Sequence, residues 1–206
     1  MRVAVKYPSV LLAHAQRGDC VQQLARDLSV QVATILSVQA RASLLLPGGS
    51  SPQQLLPLLA AEPLEWARVD VSPTDERWVA ADAEQSNWRL LQQGLPAAIC
   101  LDPRQADSAQ ASASLWADQL QARMPFAAVL LGMGEDGHIA SLFPGMPGLA
   151  PALDLQAAPG ALCAQAPSEP RQRLSLNLAL LLQTQWLGLL AFGQSKKQLI
   201  DAVLAD

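Results

Sequence analysis

"FAAVLLGMG", residues 126–134, is apolar throughout and closes on two glycines. A half-buried strand alternates polar and apolar residues. This run does not, so both its faces need cover, the condition of a strand inside a parallel sheet. The same arrangement repeats outward from it. "SLLLP" (43–47), "WARVDV" (66–71), "AAICLD" (97–102) and "WLGLLAFG" (186–193) read as further strands. Helix-like patterns occupy 20–41, 53–60, 86–93, 108–123 and 195–205. Such alternation builds βαβ units. The expected fold is α/β: a Rossmann-like, mostly parallel sheet with helices on both faces, in one domain spanning 1–206. The Pro-, Gly- and Ala-rich segment 144–170 is expected as an irregular excursion within that domain. The strand, helix, strand, helix pattern after it cannot close a core alone.

Half of the 206 residues are hydrophobic and 16% are charged, which is enough for a sizeable core and excludes global disorder. The net charge of -4 and the lack of a Lys/Arg run argue against nucleic acid as a partner. Cys20, Cys100 and Cys163 form no C-x-x-C pair and read as reduced thiols of a cytoplasmic protein. The start, MRVAVKYPSV, lacks the apolar region of a secretory leader. The most apolar stretch, 176–193, is interrupted by Asn177, Gln183, Gln185 and Gly188, so no membrane span is expected.

In an open α/β sheet, ligands sit beyond the carboxyl ends of the strands, and four loops there carry candidate chemistry. In "LLLPGGSSPQQLL" a strand runs through Gly48-Gly49 to Ser50 and Ser51. Ser51 is expected as N-cap and Pro52 as the first helical residue, with Gln54 at capping-box spacing. Free N–H groups and two hydroxyls there could cradle a phosphate; a tight, well-capped turn is the plainer reading. In "VDVSPTDERWV", Arg77 could hold an anionic group, with Asp75 orienting it or a substrate hydroxyl; a solvated loop also fits three charges beside a tryptophan. In "GMGEDGHIASLFPG" (132–145), His138 stands in a glycine turn two residues after Asp136, with Ile139 to Phe143 expected to begin a short helix. An imidazole there suits a general base. His14 has no such setting and is expected at the surface. Finally, Arg173 opens "RLSLN", and Lys196 follows a strand with G-x-x-K spacing, near a helix start. A cation does not favour a helix N-terminus, so a bound anion would explain it. One usable histidine and scattered cysteines make no typical metal site.

Together these pieces resemble the 6-phosphogluconolactonase family, whose pattern runs S-G-G-S-T-P, D-E-R-W-V with a later S-N, G-M-G-x-D-G-H-T-A-S-L-F-P-G, R-[IV]-[ST]-L and G-x-x-K. The matching residues are Pro47 to Pro52, Asp75 to Val79 with Ser86-Asn87, Gly132 to Gly145, Arg173 to Leu176, and Gly193 to Lys196. They stand in order and cover about residues 24 to 205. The long His138 motif is specific; the others singly are not. Ile139 stands where the family has Thr, and Pro47 and Ser51 stand for Ser and Thr. D-G-H-I-A also resembles the related glucosamine-6-phosphate deaminases, whose motif continues toward F-N-E-P; here Ser141-Leu142-Phe143-Pro144 follows.

The resemblance implies hydrolysis of 6-phospho-D-glucono-1,5-lactone to 6-phospho-D-gluconate, a step of the pentose phosphate pathway. His138 would be the base and Asp136 would fix its loop. Arg77 would meet charge near the carbonyl or bind substrate, and Ser50, Ser51, Arg173 and Lys196 would hold the 6-phosphate. No metal or organic cofactor is implied. The expected partner is the small sugar-phosphate lactone, and the chain itself is expected as a monomer or weak dimer. The alternatives are a deaminase-like enzyme and a sugar-phosphate-binding protein without turnover.

Overall fold

The computed structural model describes residues 10–205; the leader reading of residues 1–9 lies outside them. Helix α1 (Arg17–Leu36) leads to β1 (Ala42–Leu46), α2 (Ser50–Ala60), β2 (Val69–Pro73), β3 (Asp75–Arg77), α3 (Asn87–Gly94) and β4 (Ile99–Cys100). Then come α4 (Ala109–Gln121), β5 (Ala128–Gly132), α5 (Leu149–Leu153), β6 (Ala161–Gln165), β7 (Gln172–Leu176), α6 (Leu178–Leu181), β8 (Leu187–Leu190) and α7 (Gln194–Ala205).

Five strands form an all-parallel sheet in the order β4-β2-β1-β5-β8. The two central strands show why. On β1, Ala42, Leu44 and Leu46 pack with Leu28 and Val32 of α1, Leu55 and Leu59 of α2 and Leu91 of α3, while Leu45 packs on the opposite side. On β5, Ala128 and Leu130 join the first group, and Val129 and Leu131 join Trp116 and Leu120 of α4 on the second. Side chains alternate faces along a strand, so an unbroken apolar run means two apolar faces and two covering layers. Trp116 is fully buried, and its indole N–H donates to Ser72 Oγ at 2.9 Å.

The second face also carries a structure that the apolar pattern does not announce: an antiparallel sheet in the order β3-β7-β6. Leu174 and Leu176 of β7 pack into the same cluster as Trp116. The segment 144–170 is therefore not irregular throughout, because it contains α5 and β6. The expected helix at Ile139–Phe143 is absent. Those residues make a tight turn with bridges Met133↔Ile139 and Ile139↔Leu142, and Ala140 takes φ 48. "WAR" of the expected 66–71 strand is a single 3-10 turn, and β2 starts at Val69.

The chain runs outward from β1 through β2 to β4, then returns to β5 and runs the other way to β8. The order reverses between β1 and β5, the switch point where such sheets bind ligands. There a Cβ on Gly132 would lie 3.5 Å from Pro47 Cβ, so the loops after β1 and β5 adjoin. No helix among the described residues is long and apolar enough to cross a membrane.

Candidate active site

Beyond β1 the backbone turns at Gly49, whose φ of 97° is in a region that L side chains avoid. Gly49, not Ser51, is the N-cap, and α2 begins at Ser50, which makes Pro52 its third residue rather than its first. The turn is two residues tighter than the Ser-x-x-Gln spacing suggests, because glycine permits it. No side chain caps this helix, so the N–H groups of its first turn, with the hydroxyls of Ser50 and Ser51, are left for an anion.

The D-E-R triplet is a strand, and its alternation divides the work. Glu76 is fully buried and turned toward the start of α3. Its carboxylate accepts from the backbone N–H groups of Arg77 (2.7 Å), Asn87 (2.8 Å) and Trp88 (2.7 Å), and from Ser86 Oγ (3.1 Å). Arg104 Nη1 lies 3.1 Å away. Burial pushes the Glu76 carboxyl above its usual range, against the opposing pull of those N–H groups and Arg104. Asp75, on the other side, accepts from the Ser141 hydroxyl at 2.6 Å, and the Ser141 N–H donates to Ser175 Oγ at 3.1 Å. Asp75 thus anchors the far end of the His138 turn.

Arg77 is held by Asn87 Oδ1 and the Gln85 carbonyl, both at 2.7 Å from Nη1. Asn87 Nδ2 in turn donates to the Asp75 carbonyl at 2.7 Å. Opposite Arg77 in register, on β7, stands Arg173, buried and bonded through Nε to the Pro170 carbonyl at 2.8 Å. Burial and the Arg77 charge lower the Arg173 pKa, with Asp75 and Glu76 working the other way. Two guanidinium groups on facing positions repel unless an anion joins them.

The β5 loop presents His138. Its Nδ1 lies 2.5 Å from Asp136 Oδ1, its N–H donates to the same oxygen at 3.3 Å, and its ring sits 4.4 Å from that of Phe143. Burial raises the Asp136 pKa, but the bonds and charge of His138 outweigh it and the net shift is downward. Gly134 makes room: a Cβ there would lie 2.2 Å from His138 Nδ1. His14, by contrast, is exposed. On α7, Lys196 has an acidic neighbour that the linear sequence conceals, with Glu135 Oε1 3.8 Å from Nζ.

Gly48, Gly49, Ser50, Ser51, Asp75, Arg77, His138, Arg173 and Lys196 line one cleft of about 330 Å³, the size of a small-molecule site. Asp136 does not line it and stands beside His138. Asn87, Ser141 and Phe143 also line it; as a following S-N and an S-L-F they were visible only as motif letters. Arg104 carried no signal at all. Among the described residues, no group of three or more His, Cys, Asp or Glu is placed to hold a metal ion.

Residues 15–206 match the family described as glucosamine-6-phosphate isomerases/6-phosphogluconolactonase. The chain is 38% identical over 210 residues to a 6-phosphogluconolactonase of Pseudomonas putida, covering 98% of this chain and 86% of that one. It is 39% identical over 199 residues to that of Pseudomonas aeruginosa, covering 91% and 83%. A solved 6-phosphogluconolactonase from Shewanella baltica is 31% identical, with a TM-score of 0.83 over 92% of this chain and 83% of that one. With the strand order, the cleft and the motifs in agreement, the chain belongs to the glucosamine-6-phosphate isomerase/6-phosphogluconolactonase family.

Proposed function

We propose that this chain is a cytoplasmic 6-phosphogluconolactonase, hydrolysing 6-phospho-D-glucono-1,5-lactone to 6-phospho-D-gluconate, with His138 as general base. The observation that carries the mechanism is the His138–Asp136 pair, 2.5 Å apart, at the edge of a cleft that also holds three cations. An ionised Asp136 keeps the proton on Nδ1, so Nε2 is the unprotonated nitrogen. Nε2 takes a proton from water as the water oxygen attacks the lactone carbonyl. Arg77, fixed by Asn87 and Gln85, faces the charge that develops on the carbonyl oxygen. As the tetrahedral centre collapses, the ring C–O bond breaks and His138 returns its proton to the departing ring oxygen. The 6-phosphate lies against Ser50, Ser51, Arg173 and Lys196, where its two charges relieve the repulsion of Arg77 and Arg173. Every proton in this sequence is moved by water and one histidine, so the step as written uses no cofactor.

The deaminase reading lacks its acid. Where that motif supplies a carboxylate, this chain has Ser141 to Pro144, and the Ser141 hydroxyl is buried and bonded to Asp75.

The test is hydrolysis of freshly generated lactone, corrected for spontaneous ring opening, with glucosamine 6-phosphate supplied in parallel. The parent should hydrolyse the lactone, while His138→Ala and His138→Asn should lose about 100- to 10,000-fold in turnover and fold normally. Near-parental turnover in both variants removes His138 from the mechanism. Ammonia release without lactone hydrolysis assigns the chain to the deaminases. Binding of 6-phosphogluconate without any turnover makes it a binding protein.

A further inference from the structure

Glu135 falls at the variable position of the G-M-G-x-D-G-H pattern, and nothing in the hydrolytic step calls on it. Yet it bonds the His138 loop to α7. Its Oε2 accepts a hydrogen bond from Ser195 Oγ, and its Oε1 lies 3.8 Å from Lys196 Nζ. The two partners differ in burial: the Glu135 side chain is 68% exposed and that of Lys196 only 19%. Lys196 lines the cleft and Glu135 does not. Ser195 and Lys196 are the second and third residues of the twelve-residue α7, where free N–H groups and the helix dipole favour a negative charge and disfavour a lysine. A carboxylate on an exposed side chain, anchored by Ser195, therefore faces the same cation that a phosphate in the cleft would use.

We propose that Glu135 is a built-in competitor of the substrate phosphate. Its carboxylate holds Ser195 and Lys196 until the phosphate of the ligand takes its place, and it returns when the product leaves. This rests on the lactonase reading only for the identity of the phosphate ester. The exchange itself needs only Lys196 as an anion ligand. A dianion outcompetes a single carboxylate, and the exposed Glu135 has water to return to, so the exchange is reversible. The consequence is a weaker hold on phosphate esters than Lys196 alone would give, and faster release of the product.

The experiment is Glu135→Gln, which keeps the size and an oxygen that can accept from Ser195 but removes the charge. Titration calorimetry with inorganic phosphate and with 6-phosphogluconate, at low salt and at roughly 0.5 M salt, reads the affinity directly. Loss of an exposed ion pair and of like-charge repulsion predicts dissociation constants about three- to tenfold lower for both probes, with the gain shrinking at high salt. The KM for the lactone should fall by a similar factor. The same change made in a Lys196→Gln background should give a much smaller gain, because the contested cation is gone. Unchanged or weaker binding in Glu135→Gln overturns the proposal, since it makes Glu135 a support for Lys196 or a bystander. An equal gain in both backgrounds also overturns it, because the effect is then general surface charge. If the parent hydrolyses no lactone and phosphate still binds more tightly to Glu135→Gln, the lactonase reading falls and the competition stands. If the parent is active and the gain is missing, the reverse holds.

Discussion

Gly48→Ala tests the geometry that places Arg77. The added Cβ would lie 1.7 Å from Asn87 Oδ1, 2.1 Å from its Cγ and 2.7 Å from its Nδ2. Contacts below about 3 Å do not persist, so the amide or the loop must move by more than 1 Å. Asn87 is poorly free to move. Its Oδ1 carries Arg77, its Nδ2 is spent on the Asp75 carbonyl, and its backbone N–H is held by Glu76. Displacing the amide leaves two buried or half-buried bonds unmade, at about 1–3 kcal/mol each. A loss of about 2–6 kcal/mol in stability follows, unless the loop yields instead. Where the amide moves, Arg77 loses its support, and a guanidinium misplaced by about 1 Å costs on the order of a hundredfold in turnover. Denaturant unfolding and kcat/KM on the lactone read the two effects. The double variant Gly48→Ala with Asn87→Gly removes the clash and should regain stability over Gly48→Ala without regaining activity. If Gly48→Ala alone keeps parental stability and turnover, the picture of Asn87 as the fixed link between the first loop and Arg77 is wrong.

Arg173→Ala and Lys196→Ala should each weaken 6-phosphogluconate binding by about tenfold to over a hundredfold, the worth of a charge-assisted hydrogen bond; unchanged affinity in either, by calorimetry, places that residue outside the phosphate site. Asp136 has a folded-state pKa below the ordinary value, so its stabilising bond to His138 is complete above about pH 4 and is lost as pH falls through the folded value. Asp136→Asn cannot titrate. The gap in melting temperature between parent and variant should therefore close as pH falls below about 4, and a gap unchanged by that fall contradicts the assignment. Ile139→Thr should leave kcat/KM within about tenfold of the parent, measured side by side on fresh lactone.

The parallel sheet was legible because burial on two faces writes itself into uninterrupted apolar runs such as 126–134. The antiparallel sheet was not. β3 is three charged residues, Asp75 to Arg77, which by composition are a loop; they form a strand because β7 supplies the ladder and because Ser141, Asn87 and Arg104 satisfy the buried charges. β6 hides in a segment whose prolines and glycines promise irregularity. The expected helix after His138 failed for a related reason. Its apolar residues Ile139, Leu142 and Phe143 do have helical spacing, but they serve packing across a tight turn, where Ala140 adopts a left-handed conformation. The loops of the site were readable as glycine-rich strand ends. Their mutual supports were not, because Asp75 to Ser141 spans 66 residues and Glu76 to Arg104 spans 28 with no periodicity to mark either pair.

The same supports explain how the chain accommodates isoleucine where the lactonase pattern has threonine. Ile139 is half-buried and packs against two apolar groups at once, one containing Trp116, Leu131 and Leu174, the other Leu142, Phe143 and Met146. Its place in the turn is fixed by backbone bridges to Met133 and Leu142. The bonds that orient the His138 loop run through other residues: Asp136 holds the imidazole, and Asp75 with Ser175 holds Ser141. A hydroxyl at 139 is thus not required to complete either. Threonine there would remove about two carbons of apolar packing, roughly 1–2 kcal/mol for a half-buried site, or a melting temperature lower by about 2–8 °C in a chain of this size. Stability should fall while the rate barely changes, the reverse of what a missing catalytic hydroxyl would produce. An Ile139→Thr variant that gains more than tenfold in kcat/KM at no cost in melting temperature would mean that the turn is waiting for that hydroxyl and that the packing is incidental.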